Sequence, residues 1–253
     1  MKIENYQFKY RSRGKWFFVP NERCVRRGDR ILKFFSKRVS FPSYYFHYQK
    51  GGHVAALHAH IANTLFFKID IQNFYYSIAR MRVTRALRHW RYPGAGTFSK
   101  WSCVLNPTAL GPKHALPIGF VQSPLLASLV LMQSPVHDAI ERARSKGVCI
   151  SVYLDDLIGS HTDRELLTAA YEEIRKACLL ANFVPNAAKL TPPSEAIVAF
   201  NCDLSSGSAV VTADRVAKYF ASPNRTAMSD IGFGQYRDLV ESENIAHEAV
   251  IDG

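Results

Sequence analysis

The chain has 253 residues, and its 47% hydrophobic content is enough for a folded core, which argues against general disorder. The formal charge is +11 but uneven: residues 1–100 carry 20 Lys and Arg against 4 Asp and Glu, and the remainder carries 12 against 17. No apolar run approaches the roughly 20 residues of a membrane span. We therefore expect a cytoplasmic protein. The basic half indicates a polyanion: nucleic acid is the leading candidate, and charge alone does not separate it from an anionic membrane surface. The motifs described below account for both signs of charge without a membrane partner.

The first half of the chain predicts two helices, a strand and a third helix. Residues 25–38 and 53–62 have helical patterns, and residues 65–71 alternate with period two, as a strand does. Asp70 lies near the end of that strand, on the face opposite its apolar residues. A basic helix follows at residues 81–90, and its arginines are candidates for nucleic-acid contact. They are Arg80, Arg82, Arg85 and Arg88.

The second half predicts helices around one apolar hairpin, with Asp155 and Asp156 in the middle of that hairpin. Glycine and proline mark a loop at residues 93–96. Thr162 has the spacing of a capping box for the helix after the hairpin. The remaining predicted elements, in chain order, are helices at 124–132 and 135–145, the hairpin at 148–160, a helix over 167–178, a last strand at 197–204 and a weakly patterned tail at 205–253.

Two adjacent carboxylates inside an apolar hairpin repel each other. At about 4 Å the repulsion is roughly 4 kcal/mol at an effective dielectric constant near 20. A divalent cation relieves it, and hard oxygen ligands favour Mg²⁺. If the strand of Asp70 lies beside the hairpin, three carboxylates meet at one edge and can hold two metal ions, as in phosphoryl transfer. The competing interpretation is a plain polar turn, since Asp is common in turns.

Several segments, taken in order, resemble the palm motifs of reverse transcriptases, over about residues 10–205. The four main ones are residues 67–75 (FKIDIQNFY), 116–126 (LPIGFVQSPLL), 153–156 (YLDD) and 185–189 (PNAAK). The segment from Gly51 to His58 resembles the fingers of bacterial members, and Phe200 falls where a primer-grip hairpin would begin. Ile118 replaces the usual Gln, which is similar to defence-associated, abortive-infection and retron-like bacterial enzymes.

The resemblance assigns a role to each carboxylate. Asp70 and Asp155 would be the principal catalytic metal ligands, joined by the backbone carbonyl of Ile71, and Asp156 would support them. The expected cofactor is a pair of Mg²⁺ ions, for which Mn²⁺ can substitute. Tyr75 would be a steric gate against the ribose 2′-hydroxyl, and thus favour dNTPs.

Other positions acquire substrate-binding roles from the same resemblance. Lys189 would lie near the triphosphate and could act as general acid for pyrophosphate departure. The side chains expected to line the nucleotide and template pocket are Phe120, Gln122 and Ser123. Those expected to contact the triphosphate are Arg13 and Lys15. Tyr153 joins the basic helix as a predicted nucleic-acid contact.

The implied fold is α+β: the fingers and palm of a right-hand polymerase, with an antiparallel, ferredoxin-like split βαβ palm and a short or rudimentary thumb. Residues 1–62 would form the fingers. Residues 63–204 would form the palm, with a fingers insertion at about 91–116. Residues 205–253 would form a short thumb-like segment.

The implied function is RNA-directed DNA polymerisation in bacterial antiphage defence, with a noncoding RNA template, a DNA product and dNTPs as partners. A second polymerase subunit or a homo-oligomer is a further expected partner. Two alternatives stay open. One is a template-independent or protein-primed nucleotidyl polymerase, favoured by Ile118 and the short tail. The other is an inactive palm that serves as an RNA-binding assembly module. The presence of the three aspartates together with Tyr75 and Lys189 argues against this inactive palm.

Overall fold

The computed structural model describes residues 3–108 and 110–245, and in that part of the chain eleven strands and ten α-helices form. The strands are β1 (Tyr6–Ser12), β2 (Lys15–Pro20), β3 (Leu65–Asp70), β4 (Val104–Leu105), β5 (His114–Ala115), β6 (Cys149–Tyr153), β7 (Asp156–His161), β8 (Thr191–Ser194), β9 (Ala196–Ala199), β10 (Cys202–Ser205) and β11 (Ser208–Val211). The helices are α1 (Glu22–Phe35), α2 (Gly52–His58), α3 (Phe74–Ser77), α4 (Arg80–His89), α5 (Ala95–Ser102), α6 (Ser123–Met132), α7 (Pro135–Ser145), α8 (Arg164–Leu180), α9 (Ala213–Phe220) and α10 (Ala227–Glu241). None of the helices in these ranges is long and apolar enough to cross a membrane.

The chain divides into two compact units. The first unit contains the residues up to 41, residues 71–138 and residues 177–184. It includes the antiparallel ribbon of β1 and β2 and several helices. Its core brings together side chains from distant parts of the sequence, namely Phe18, Cys24, Tyr76, Val104 and Phe120.

A glycine lets two segments of the first unit approach closely. Gly119 has a φ of +108°, and a Cβ atom at this position would lie 2.4 Å from the carbonyl oxygen of Phe18. The neighbouring Ile118 carbonyl accepts a 2.9 Å hydrogen bond from the backbone N–H of Phe18. The Pro-Ile-Gly segment therefore lies against β2, in a conformation that a larger residue would strain.

The second unit contains residues 42–70, residues 139–176 and the residues from 185 onward. Its main sheet has the strand order β6-β7-β3-β8, and every neighbouring pair is antiparallel. A second sheet has the order β11-β10-β9. Phe66 and Ile158 of the main sheet join residues of the second sheet in one apolar core. Gly159 makes room for the Phe67 ring, since a Cβ there would lie 2.3 Å from a ring atom.

A buried histidine connects the segment after α2 to the main sheet. His60 is completely buried, with Nδ1 2.7 Å from Ser160 Oγ and Nε2 2.9 Å from Ser151 Oγ. Burial lowers the pKa of His60 to about 3, so the ring is neutral at physiological pH. The two hydroxyl groups belong to neighbouring strands and thus help to fix the register of the β6–β7 hairpin.

The predicted α+β class, the strand carrying Asp70 and the apolar hairpin are confirmed. Three local predictions were wrong. The loop at residues 93–96 gives way to α5, which Gly94 precedes with a left-handed φ of 69°. The capping residue of α8 is Asp163 rather than Thr162, because the Asp163 carboxylate accepts a hydrogen bond from the N–H of Leu166.

The third wrong prediction was a single strand over residues 197–204. Phe200 and Asn201 both have positive φ, so they form a turn between β9 and β10. The tail, read as weakly patterned, contains β11, α9 and α10. The boundaries predicted between fingers, palm and thumb remain predictions, and residues 246–253 of the thumb-like segment lie outside the described residues.

Candidate active site

Two carboxylates face each other at one end of the main sheet. Asp70 is the last residue of β3, and its register partner is Asp156, the first residue of β7. Residues directly opposite in an antiparallel pair have Cα atoms about 4.5–5.5 Å apart. From the sequence, Asp70 was predicted on a strand, and Asp155 and Asp156 were predicted in a hairpin. The structure makes these strands neighbours, as the prediction required.

Asp155 lies in the two-residue turn that joins β6 to β7. The other turn residue, Leu154, has a φ of +58°, a region that a branched side chain adopts at a cost of about 1–3 kcal/mol. The backbone N–H of Leu154 points to Nδ1 of His47 at 3.3 Å. Burial lowers the pKa of His47 to about 4, so a neutral ring is available to accept this hydrogen bond. A turn with an unfavourable φ, contacted by a partly buried histidine, thus carries Asp155.

Two lysines neutralise the facing carboxylates. Lys189 Nζ lies 2.8 Å from Asp70 Oδ1, and Lys68 Nζ lies 3.2 Å from Asp156 Oδ1. The hydrogen bond to Asp70 raises the pKa of Lys189, and the negative charges of all three aspartates act in the same direction. Lys189 therefore carries a positive charge at neutral pH, and Asp155 is near enough to influence it.

Asn186 holds Asp70 at two points. Its backbone N–H donates to the Asp70 carbonyl at 2.8 Å, and its side-chain amide donates to Asp70 Oδ2 at 3.2 Å. With Lys189 on Oδ1, both carboxylate oxygens of Asp70 have a partner from the PNAAK segment. This explains why that segment is needed beside the first motif: it orients a carboxylate whose side chain is only 6% exposed.

The donor set suits a hard divalent cation. Asp156 Oδ1 is buried and accepts no hydrogen bond, because the Lys68 contact has the distance of an ion pair without hydrogen-bond geometry. Such an oxygen can accept a metal ion. In the described ranges, however, no three His, Cys, Asp or Glu side chains converge as a metal site. Binding would therefore require the carboxylates to exchange their lysine partners for the ion.

A cavity of about 780 Å³ opens beside these groups, within the size range of small-molecule sites. It is lined by Asp70, Asp156 and both lysines on one side. The β9–β10 hairpin lines the other side. Tyr153, opposite Asp156 in the register, turns toward an adjoining aromatic cavity, where its ring centroid lies 5.4 Å from that of Phe200.

Comparison with known proteins identifies the family of this chain. The family model described as "Reverse transcriptase (RNA-dependent DNA polymerase)" matches residues 25–194, more than half of the chain. The chain belongs to the reverse transcriptase family. The matched residues include Asp70, the hairpin and Lys189. A comparison with curated protein sequences finds no significant match.

Solved reverse transcriptases share the fold. The foamy viral protease–reverse transcriptase in complex with an RNA/DNA hybrid is 17% identical, with a TM-score of 0.54, and the match covers 90% of this chain and 26% of that one. A form of the same viral protein described as dRH, in complex with double-stranded DNA, is 18% identical, with a TM-score of 0.53 and coverage of 90% and 35%. This reverse transcriptase thus spans well under half the length of those viral chains.

The residues predicted to line the nucleotide and template pocket are enclosed in the first unit. Phe120 is part of the core, and Ser123 is 1% exposed. Gln122 is equally buried and donates from Nε2 toward Ser102 Oγ at 3.3 Å. Their nucleotide contacts remain predictions: Phe120 packs in the core, whereas Gln122 Oε1 and Ser123 Oγ are buried without a hydrogen-bond partner among the described residues.

The other predicted contacts of the first unit are more accessible. Arg13, with a φ of +48°, and Lys15 lie at the exposed turn between β1 and β2. Tyr75 is partly buried, and its ring centroid lies 5.6 Å from that of Phe74. Ile71 is buried directly after Asp70 in the chain. The triphosphate, steric-gate and carbonyl-ligand roles of these residues remain predictions.

The basic helix α4 does not present all its arginines alike. Arg85 and Arg88 are exposed, and Arg80 is partly buried. Arg82 packs its guanidinium 4.2 Å from the centre of the Phe183 ring. Nucleic-acid contact by these arginines and by Tyr153 stays a prediction.

Three residues that support the site were not predicted from the sequence: Lys68, Asn186 and His47. Lys68 could have been noticed, because it lies two residues before Asp70 and so shares its face of a strand. Asn186 belongs to a motif that was identified but received no role. His47 had no local signal, since its partner in the hairpin is more than 100 residues away.

Proposed function

We propose that this reverse transcriptase catalyses RNA-templated DNA synthesis at the end of its main sheet where Asp70 and Asp156 face each other. The observation that carries the proposal is the pairing of Asp70 with Asp156, next to Asp155 in a strained turn, in a chain of this family. Closely spaced carboxylates suit a reaction that needs charge neutralisation and positioning more than covalent help from the protein.

The proposed metal ligands are Asp70 and Asp155, with Asp156 and the Ile71 carbonyl in support. Two Mg²⁺ ions, or Mn²⁺ in their place, would supply activation of the primer 3′-hydroxyl and neutralisation of the triphosphate. The protein contributes orientation: Asn186 fixes one oxygen of Asp70, and the Leu154 turn fixes the position of Asp155. Lys68 and Lys189 compensate the carboxylate charge until substrates arrive.

Lys189 is the proposed proton donor to the departing pyrophosphate. Its side chain is 55% exposed, so it can leave Asp70 without disturbing the core. While Lys189 is bound to Asp70, the hydrogen bond raises its pKa, and a lysine that leaves Asp70 still carries its proton on Nζ at neutral pH. A mobile cation with a proton to give, located beside the carboxylates, is what this role requires.

An RNA partner is supported by the ribbon of β1 and β2. Phe8 and Tyr10 of one face are 55% and 47% exposed, and Phe17 stacks beside Tyr10 at 5.4 Å with an interplanar angle of 12°. Residues 6–19 contain four Lys or Arg and no acidic residue. Exposed aromatic rings, with one nearly parallel pair formed by Tyr10 and the partly exposed Phe17, among positively charged residues suit the bases and backbone of a single strand.

Replacing Phe8 and Tyr10 by Ala is expected to weaken the binding of single-stranded RNA by about tenfold or more, because stacking contributes about 1–3 kcal/mol per base. Fluorescence anisotropy with a labelled, unstructured oligoribonucleotide measures the effect. Gln7→Ala, on the same exposed strand between these residues, is the matched control and should leave the affinity unchanged. Equal affinity of wild type and the double variant would remove the ribbon from the RNA-binding surface.

The proposed function is tested by copying a defined RNA. The purified chain, given a primed RNA, dNTPs and Mg²⁺, is expected to make DNA complementary to that RNA, and chelation by EDTA should stop it. Sequencing the RNA and DNA that co-purify from cells would identify the natural template and product. A product unrelated to any bound RNA would instead favour template-independent or protein-primed addition.

We also propose a role in bacterial antiphage defence with a noncoding RNA as template, and a second polymerase subunit or a homo-oligomer as a further partner. The support for the defence role is the resemblance at residues 117–119, where Ile118 takes the place of Gln. Protection of cells against phage should then depend on the acidic site. Equal protection by wild type and by an Asp155→Asn, Asp156→Asn variant would favour an RNA-binding assembly module without catalysis.

A further inference from the structure

A cavity in the first unit is lined by two arginines, and no carboxylate in its lining neutralises their charge. Its volume is about 300 Å³, roughly ten times the ~30 Å³ that one water occupies in the liquid. Arg82 and Arg85 line one side, from successive turns of α4. Across the described part of the chain neither arginine forms an ion pair, and no Asp or Glu lines the cavity.

The guanidinium group of Arg82 is packed against an aromatic ring, but one of its nitrogen atoms lacks a hydrogen-bond partner. Its guanidinium packs against the ring of Phe183, itself completely buried, and Nη1 is buried with no hydrogen-bond partner. Burial lowers the pKa of Arg82 to about 10, and the positive charge of Arg85 contributes in the same direction. A buried N–H of a charged group without an acceptor is costly, and a second cation nearby adds to the cost.

The other polar side chains of the cavity are neutral and include hydrogen-bond donors for an anion. Gln133 and Asn182 bring side-chain amides, and the backbone turns at Asn182 with a φ of +55°. The site therefore has two guanidinium groups, that of Arg82 packed in place and that of Arg85 exposed, and neutral amides around a space that holds a small anion together with several water molecules. An arginine fork matches the oxygens of a phosphate in geometry as well as charge.

We propose that this cavity binds a single phosphate group, gripped by Arg82 and Arg85. The group can come from a nucleic-acid backbone or from free phosphate, and the two share the same recognition chemistry. The inference does not depend on the proposed polymerase activity, because it concerns binding at a site in the first unit and is measured without catalysis.

The test uses the full chain, freed of nucleic acid, and inorganic phosphate as the probe. Phosphate should raise the thermal unfolding midpoint above that in chloride of equal ionic strength, since a ligand that binds only the folded state stabilises it. Arg85→Gln, at an exposed position, should weaken phosphate binding by about tenfold, as measured by calorimetric titration. Arg23→Gln removes the same charge from an exposed position of α1 outside the cavity and should bind like wild type.

A second variant separates charge from geometry. Arg82→Lys keeps the positive charge but loses the planar fork, so it too should bind phosphate more weakly, while its unfolding in chloride reports whether the fold is intact. Identical midpoints in phosphate and chloride, or equal affinities of wild type and Arg85→Gln, would overturn the proposal.

A third measurement identifies the source of the phosphate. If the ligand is a nucleic-acid backbone, Arg85→Gln should weaken RNA binding and reduce its salt slope by about one, whereas Arg23→Gln should not. If the ligand is free phosphate, Arg85→Gln should lose the phosphate effect and retain the wild-type affinity for RNA.

Discussion

The Asp155→Asn, Asp156→Asn double variant is expected to lose DNA synthesis, by at least about 10³-fold. Asn has nearly the same shape as Asp but no charge, so the substitution removes charge compensation worth several kcal/mol, at 1.36 kcal/mol per tenfold in rate. Incorporation of labelled dNTPs on a primed RNA measures the loss. Asp70→Asn should have an effect of the same size, because Asp70 is the register partner of Asp156.

The matched control is Asp238→Asn, which removes one carboxylate from an exposed position of α10 and should leave incorporation unchanged. Asn still accepts hydrogen bonds, but Asp156→Asn removes the counter-charge of Lys68, whose side chain is 13% exposed, whereas Asp70→Asn affects the half-exposed Lys189. Thermal unfolding checks that the variants fold. Synthesis that persists in the folded double variant would contradict the assignment of the acidic site.

Substituting Tyr75 by Ala is expected to reduce the preference for dNTPs over NTPs by about 10- to 200-fold, the range that one steric contact in a pocket supplies. The resemblance places the Tyr75 ring where a ribose 2′-hydroxyl would clash. Removing it should therefore raise ribonucleotide incorporation while deoxynucleotide incorporation falls much less. Ratios of kcat/KM for matched dNTP and NTP pairs measure the change.

Tyr75→Phe keeps the ring and removes only the hydroxyl group, so this control should preserve the preference for dNTPs. If Tyr75→Ala discriminates as well as wild type does, the gate lies elsewhere. If both variants lose discrimination, the phenolic hydroxyl rather than the bulk of the ring is responsible.

The sequence could predict those parts of the site whose structure depends on residues close together in the chain. The alternation of residue types at 65–71 predicted a strand and placed Asp70 correctly at its end, although both faces of β3 are buried. The facing of Asp70 and Asp156, by contrast, depends on a register between strands that no periodicity encodes. The ion pair between Lys68 and Asp156 follows from that same register, and it escaped prediction for the same reason.

A strand whose two faces are equally exposed also could not be predicted from the sequence. All seven residues of β1 are exposed, so no alternation of burial marks it as a strand. The opposite problem affected residues 197–204, where the apolar character continues through the turn. Asn201 is a residue type that accepts positive φ, but Phe200 is not, and its φ of +54° is imposed by the hairpin around it.

The strand order β6-β7-β3-β8 has a consequence for synthesis on the ribosome. β3 emerges early, but both of its neighbours come much later in the chain, and Lys189 follows Asp70 by 119 positions. At about 5–20 residues per second, that interval lasts roughly 6–24 s. Until β7 is made, the strand with Phe66 and Phe67 has neither edge covered, and until Lys189 is made, Asp70 lacks its counter-charge. The groups of the candidate active site therefore come together only after the last of these segments has been synthesised.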